Sequence, residues 1–105
     1  DWAEVVQLYD ALERIAPSPL NVLNRAIALA EWKGPRAGLA ALEAFPAPSW
    51  LQDYYLWDAA LGELHRRAGH PERAVFHTER ALATAPTNPE KSLLERRLRS
   101  LGQNS

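Results

Sequence analysis

A chain of 105 residues with 47% apolar and 24% charged side chains can bury one small core, and its formal net charge of −1 provides no polycation for neutralising duplex DNA. Residues 1–50 carry −2 (four basic, six acidic) and residues 51–105 carry +1 (eight basic, seven acidic), so neither half is a polyelectrolyte. The absence of Cys excludes disulfides and thiolate metal sites and fits a reducing, cytoplasmic setting, and no apolar run approaches the roughly 20 residues of a membrane helix.

Prolines and glycines punctuate the chain at intervals too short for strands between helices, and apolar residues recur every three or four positions between them. Six helices are predicted. The first takes Asp1 as its cap, places Trp2, Val5, Val6, Tyr9, Leu12 and Ala16 on one stripe, and ends before Pro17. Ser18 then caps a second helix with Pro19 at its first position. Its core face is Leu20, Leu23, Ile27 and Ala30, with Ala26 and Ala28 allowing close approach, and Gly34 stops it. Pro35 opens a short third helix with Leu39, Leu42 and Phe45 inward, broken by Pro46-Ala47-Pro48-Ser49.

From Ser49 as cap, a fourth helix carries the largest apolar face of the chain, Trp50, Tyr54, Trp57, Leu61 and Leu64, and Gly69 ends it. Pro71 starts the fifth, with Ala74, Val75, Thr78, Ala81, Leu82 and Ala85 facing partners, and Pro86 follows it. Asn88 and Pro89 repeat the cap-plus-proline pattern for the sixth, whose inward residues are Leu94, Leu98 and Leu101. Residues 1–101 are thus expected to form a single domain and 102–105 a frayed tail. With no Met, and with Asp1 already opening a helical pattern, the chain is expected to be a fragment of a longer protein. The face of Trp2, Val5 and Tyr9 would then be covered by an upstream segment or a second copy.

Residues 55–88 fit the 34-residue tetratricopeptide pattern: Leu61-Gly62, Gly69, Ala74, Ala81-Leu82 and Pro86 stand at its spacing. Gly62 and Ala74 are small where two helices must cross, and Pro86 stops the second. The pattern is broken at Asp58, where Trp is usual, and at His65 and Thr78, where aromatics are usual. A degenerate copy runs from Leu20 to about Asp53, and Tyr9, Leu12 and Pro17 look like the end of another. The expected architecture is all-α, about six helices in antiparallel hairpins forming a tetratricopeptide-like right-handed stack.

The block Trp2, Leu8-Tyr9-Asp10, Pro17-Ser18-Pro19, Leu23-Asn24-Arg25-Ala26, Gly34-Pro35 and Gly38-Leu39, with Leu94-Glu95-Arg96-Arg97-Leu98 near the end, resembles a known family. It is similar to the C-terminal helical extension of a group of bacterial extracytoplasmic-function (ECF) sigma factors, which carry tetratricopeptide-like repeats after their polymerase- and promoter-binding regions. The resemblance implies a role in transcription initiation. Protein partners would be the upstream sigma regions of the same chain, RNA polymerase or a separate regulator, with promoter DNA reached only through the upstream regions.

Repeat solenoids bind extended peptides on the face lined by the first helix of each unit. Transferring those positions selects Asn21, Asn24, Ala28, Glu31 and Trp32, with Arg25 beside them, and then Glu63, Arg66 and Arg67. Asn24 and Arg25 have two open roles. Their amide and guanidinium can hold a partner's backbone or carboxylate, or they can tie neighbouring helices together. His65, His70 and His77 do not meet helical metal-ligand spacing, since no two are three or four apart, and His65 is expected to fill the aromatic repeat position. Trp50, Tyr54 and Trp57 are expected in the core, and the Arg66-Arg67 and Arg96-Arg97 pairs on a solvated face. No phosphate loop, nucleophile elbow or Ser-His-carboxylate set is present, so neither catalysis nor a cofactor, a metal, a membrane or a small-molecule substrate is expected. A free-standing adaptor and a helical domain of a larger enzyme are the alternatives to the sigma-factor reading.

Overall fold

A computed structural model describes residues 1–103. They form α1 (Trp2–Ile15), α2 (Pro19–Lys33), α3 (Pro35–Ala44), a 3-10 turn (Ser49–Asp53), α4 (Tyr55–Arg67), α5 (Pro71–Thr84) and α6 (Asn88–Gln103). The expected all-α class and six α-helices are present, and no strand occurs among the described residues. The chain divides into two compact units, one from Asp1 to Ala47 and the other from Pro48 onward.

In the first unit α2 packs against both α1 and α3. The Asp1 side chain caps α1 through Ala3 N–H at 3.0 Å, and the Ser18 hydroxyl caps α2 through Leu20 N–H at 3.2 Å, both as expected. Gly34 closes α2 by donating to Ala30 O at 2.9 Å and is also the N-cap of α3, at a φ of +99° that a side chain would strain.

The buried residues of this unit include Val6, Leu23, Ala26, Ala28, Ala30, Leu39 and Leu42. Leu20 and Ile27, expected inward, are exposed. Leu23 and Ala30 are buried as expected, and so are Ala26 and Ala28, since alanines let the backbone of α2 approach its neighbours and leave Leu20 and Ile27 at the margin. Only Val6 of α1 is buried; of the face expected to need a cover, Trp2 is exposed and Val5 and Tyr9 are half-buried, and Leu8, Leu12 and Ile15, at i, i+4 and i+7, add an exposed apolar stripe.

In the second unit α5 packs against both α4 and α6. The predicted fourth helix is two elements. Ser49–Asp53 winds as a 3-10 turn, Tyr54 is extended at φ −91° and ψ 111°, and α4 begins at Tyr55. That break resets the helical phase, so Leu51 is fully buried and Trp50, expected in the core, is 56% exposed. Trp57, Leu61 and Leu64 are buried as the spacing predicts, and Tyr54 is half-buried.

The α4–α5 turn satisfies its carbonyls through a left-handed Gly69 (φ +83°), with His70 N–H donating to His65 O at 2.8 Å and Gly69 N–H to Arg66 O at 3.2 Å. At Gly62 the two helices cross closely. A Cβ there would stand 2.5 Å from Thr78 Oγ1, 3.2 Å from Thr78 N and 3.3 Å from Ala74 O. Ala74, Thr78 and Ala81 are correspondingly buried.

Ala81, Ala85 and Leu94 form a cluster joining α5 to α6, with Tyr55, Ala59 and Leu82 packed against it. The cap of α6 is Thr87, not Asn88. Thr87 O accepts from Lys91 N–H at 3.0 Å and its hydroxyl from Glu90 N–H at 3.5 Å, which leaves Asn88 as the first helical residue. The helix continues through Gly102 to Gln103, so of the expected tail only Asn104 and Ser105 lie outside the described residues.

Candidate functional site

The polar residues selected from the sequence fall into the two units separately. In the first, Asn21 and Arg25 bind their own fold. Asn21 Nδ2 donates to Ala16 O at 2.9 Å, taking up a carbonyl at the end of α1. Arg25 Nε donates to Asp10 Oδ1 at 2.6 Å, tying α2 to α1. Alongside, Glu13 Oε2 accepts from Ser18 N–H at 3.2 Å, so α1 also steadies the cap of α2. Asp10, Glu13, Asn21 and Arg25 line a cleft of about 320 Å³ together with Tyr9, Val22, Ala41 and Ala44.

Asn24, Glu31 and Trp32 are exposed on α2, and Lys33 Nζ sits 4.4 Å from the centre of the Trp32 ring. Ala28 is a correction to the proposed surface: it is 2% exposed, since its short methyl lies beneath the level a partner would reach. Of the two residues of greatest interest, Asn24 is therefore open to a partner and Arg25 is engaged by Asp10.

In the second unit the selected residues meet α6. Arg66 grips Glu63 with both ends of its guanidinium, Nε donating to Oε2 at 3.1 Å and Nη2 to Oε1. Burial raises the Glu63 carboxyl, but the Arg66 hydrogen bond and the Arg66, Arg97 and Arg67 charges outweigh it and hold the group below the usual carboxylate range. Leu93, Arg96, Arg97 and Ser100, at i, i+3, i+4 and i+7, present one face of α6 and with this pair border a shallow, open groove of about 360 Å³. Arg67 is exposed at the end of α4. The Arg96–Arg97 pair, with Arg96 exposed as expected of a solvated face, also borders this groove.

A polar cluster lies between α4 and α5 that the sequence did not reveal. Asp58 is 3% exposed and accepts from His77 Nδ1 at 2.9 Å and from Arg80 Nε at 3.4 Å. Arg80 also donates to Gln52 O at 3.3 Å. The His77 ring stacks on the buried His65 ring, 5.4 Å between centres with planes 3° apart.

His65 Nδ1 in turn stands 3.0 Å from His70 Nδ1, a contact in which one ring must donate and the other accept. Spacing along one helix could not bring these histidines together; their placement on either side of the Gly69 turn does. Among the described residues no group of three or more His, Asp or Glu side chains has an arrangement that could hold a metal ion. The cluster is a structural network, in which Asp58 replaces an aromatic of the repeat pattern and its charge is met by two cationic or protonatable partners.

Among the described residues, no helix is long and apolar enough to cross a membrane. No family model matches the chain, and no solved structure matches it. An uncharacterized protein of Rhizobium meliloti (strain 1021) is similar, 37% identical over 98 residues. Those residues are 93% of this chain and 23% of the relative, so the chain spans less than a quarter of that protein's length.

Proposed function

We propose that this chain is a regulatory protein-interaction domain of a bacterial ECF sigma factor, acting in the cytoplasm. It modulates transcription initiation through contacts with the upstream sigma regions of the same protein, with core RNA polymerase or with a separate regulator. It carries no catalysis and reads no DNA itself; promoter contact belongs to the upstream regions.

The observation that carries the interaction-domain reading is the α4–α5 crossing at Gly62, where a Cβ would meet Thr78 and Ala74. A repeat hairpin needs a residue without a side chain at that position, and the Gly69 turn and the buried Ala81 stand where the 34-residue pattern requires them. Two such helices present their outer faces to solvent, and here that face bears Glu63 and Arg66. The sigma-factor assignment rests on the resemblance of residues 2–39 and 93–98, whose turns and ion pair are structural in this fold: Ser18 caps α2, Gly34 joins α2 to α3, and Asp10 binds Arg25.

Affinity purification of the full-length protein that carries this chain tests the reading. Core RNA polymerase should co-purify, and should still do so when residues 1–103 are deleted. A full-length protein that retains no polymerase, under conditions where a known sigma factor does, contradicts it.

A further inference from the structure

We infer that the α4–α6 groove of the second unit docks an acidic peptide segment, one that places an apolar side chain about one helical turn from paired carboxylates. This inference rests on the protein-interaction reading above and names the chemistry of the partner.

The groove is lined by Glu63, Arg66, Leu93, Arg96, Arg97 and Ser100. Three guanidinium groups and one carboxylate line it, and that carboxylate is already held by both ends of Arg66. Arg96 has no hydrogen bond or ion pair among the described residues. It borders a second shallow groove with Ser92, Glu95 and Arg99, so its charge is accessible from both sides of the α6 crest. The groove therefore offers surplus positive charge at Arg96 and Arg97. One turn before them, Leu93 is 42% exposed, an apolar foothold on the same face, and one turn after them Ser100 adds a hydroxyl.

Seven residues of helix rise about 10 Å. Within that length the surface reads apolar, cationic, cationic, hydroxyl, the complement of a short acidic-apolar segment lying in a helix-lined groove. Guanidinium groups bind carboxylates through two parallel hydrogen bonds, and a partner that uses them gains register as well as charge. A nucleic acid fits less well: phosphate neutralisation calls for a run of uncompensated cations, whereas Glu63 and Glu95 interrupt this one and Leu93 offers nothing to a phosphate.

The test is titration of the 105-residue chain with three probes: an amidated peptide of sequence LEELLEELLEEL, the same peptide with Lys for every Glu, and a ten-residue oligothymidylate. The acidic peptide should bind, weaken with added salt, and lose at least about tenfold in affinity with Arg96→Ala, whose thermal midpoint should match the parent because Arg96 supports nothing in the fold. Glu63→Gln should bind it several-fold more tightly, since a competing carboxylate charge is removed. Lys91→Ala, outside the groove, should leave binding unchanged. Equal binding of the acidic and basic peptides, no effect of Arg96→Ala, or preference for the oligothymidylate would each overturn the proposal. If no probe of this class binds, yet the full-length protein retains core polymerase, the acidic-peptide inference fails and the sigma-factor reading stands. Loss of polymerase retention with peptide binding intact does the reverse.

Discussion

At the scale of single residues, Gly62 and Asp58 show how a repeat position can be kept or abandoned. The Gly62 position was legible because smallness at a fixed offset is itself the signal. A methyl group there must displace backbone atoms of α5 as well as the Thr78 hydroxyl. Gly62→Ala is therefore expected to lower unfolding stability by about 1–3 kcal/mol in urea titrations. Gly102→Ala, where a Cβ would meet nothing within 4 Å, should be neutral or slightly stabilising.

Asp58 was legible only as a departure from the pattern. Its role emerges from His77 and Arg80, which lie on the next helix and share no periodicity with it. Asp58→Ala removes the acceptor from both, with an expected loss of about 1–3 kcal/mol, while Asp58→Asn keeps an acceptor and should cost less. Equal losses for the two substitutions would mean that volume, not hydrogen bonding, is what Asp58 supplies.

At the scale of elements, the helix starts at Pro19, Pro35 and Pro71 and the stops at Gly34 and Gly69 were legible, because each acts on a backbone dihedral within one residue of itself. The 3-10 turn before α4 was not. Trp50, Tyr54, Trp57, Leu61 and Leu64 make a continuous helical stripe on paper, and only tertiary burial of Leu51 shows that the chain winds more tightly over Ser49–Asp53.

The cap of α6 illustrates a missed local signal. Thr87 and Glu90 stand in the Thr-x-x-Glu arrangement of a capping box, which outranks the Asn88-Pro89 pair. Thr87→Ala should thus cost about 1 kcal/mol, whereas Asn88→Ala should be close to neutral, both read from thermal or urea midpoints.

The groove pair titrates in a defined direction. Glu63 has a carboxyl held below its ordinary value, so its contribution is present above the unfolded carboxylate pKa of about 4.3 and is lost as pH falls through the lower folded value. Glu63→Gln should flatten that part of the acid limb of a stability–pH curve, and an unchanged limb would show that the Arg66 contact adds nothing to folding.

For the whole molecule, alternating punctuation and apolar spacing were sufficient to specify an all-helical chain, since every connection is a short turn with its own chemistry. Which helix faces stay open was not legible. Leu12 of α1 and Leu20 and Ile27 of α2 stand on the predicted apolar stripes and are exposed, while the small residues Ala26, Ala28 and Ala30 of α2 are buried as expected. In α2 exposure depends on which backbones approach, and there Ala26, Ala28 and Ala30 lie against the neighbours.

The same logic governs the candidate site. Asn21 and Arg25 are engaged within the first unit, while Arg96, exposed as expected of a solvated charge, also borders a groove with Glu63 and Arg66 of α4. The central claim is that these surfaces regulate an attached transcription machinery. Its most direct measurement is in vitro transcription by core RNA polymerase with the full-length protein, compared with the same protein lacking residues 1–103. The account predicts polymerase binding that is retained and promoter output that changes several-fold. Identical output from the two proteins across the promoters they recognise, or no promoter-dependent transcription from either, would contradict it.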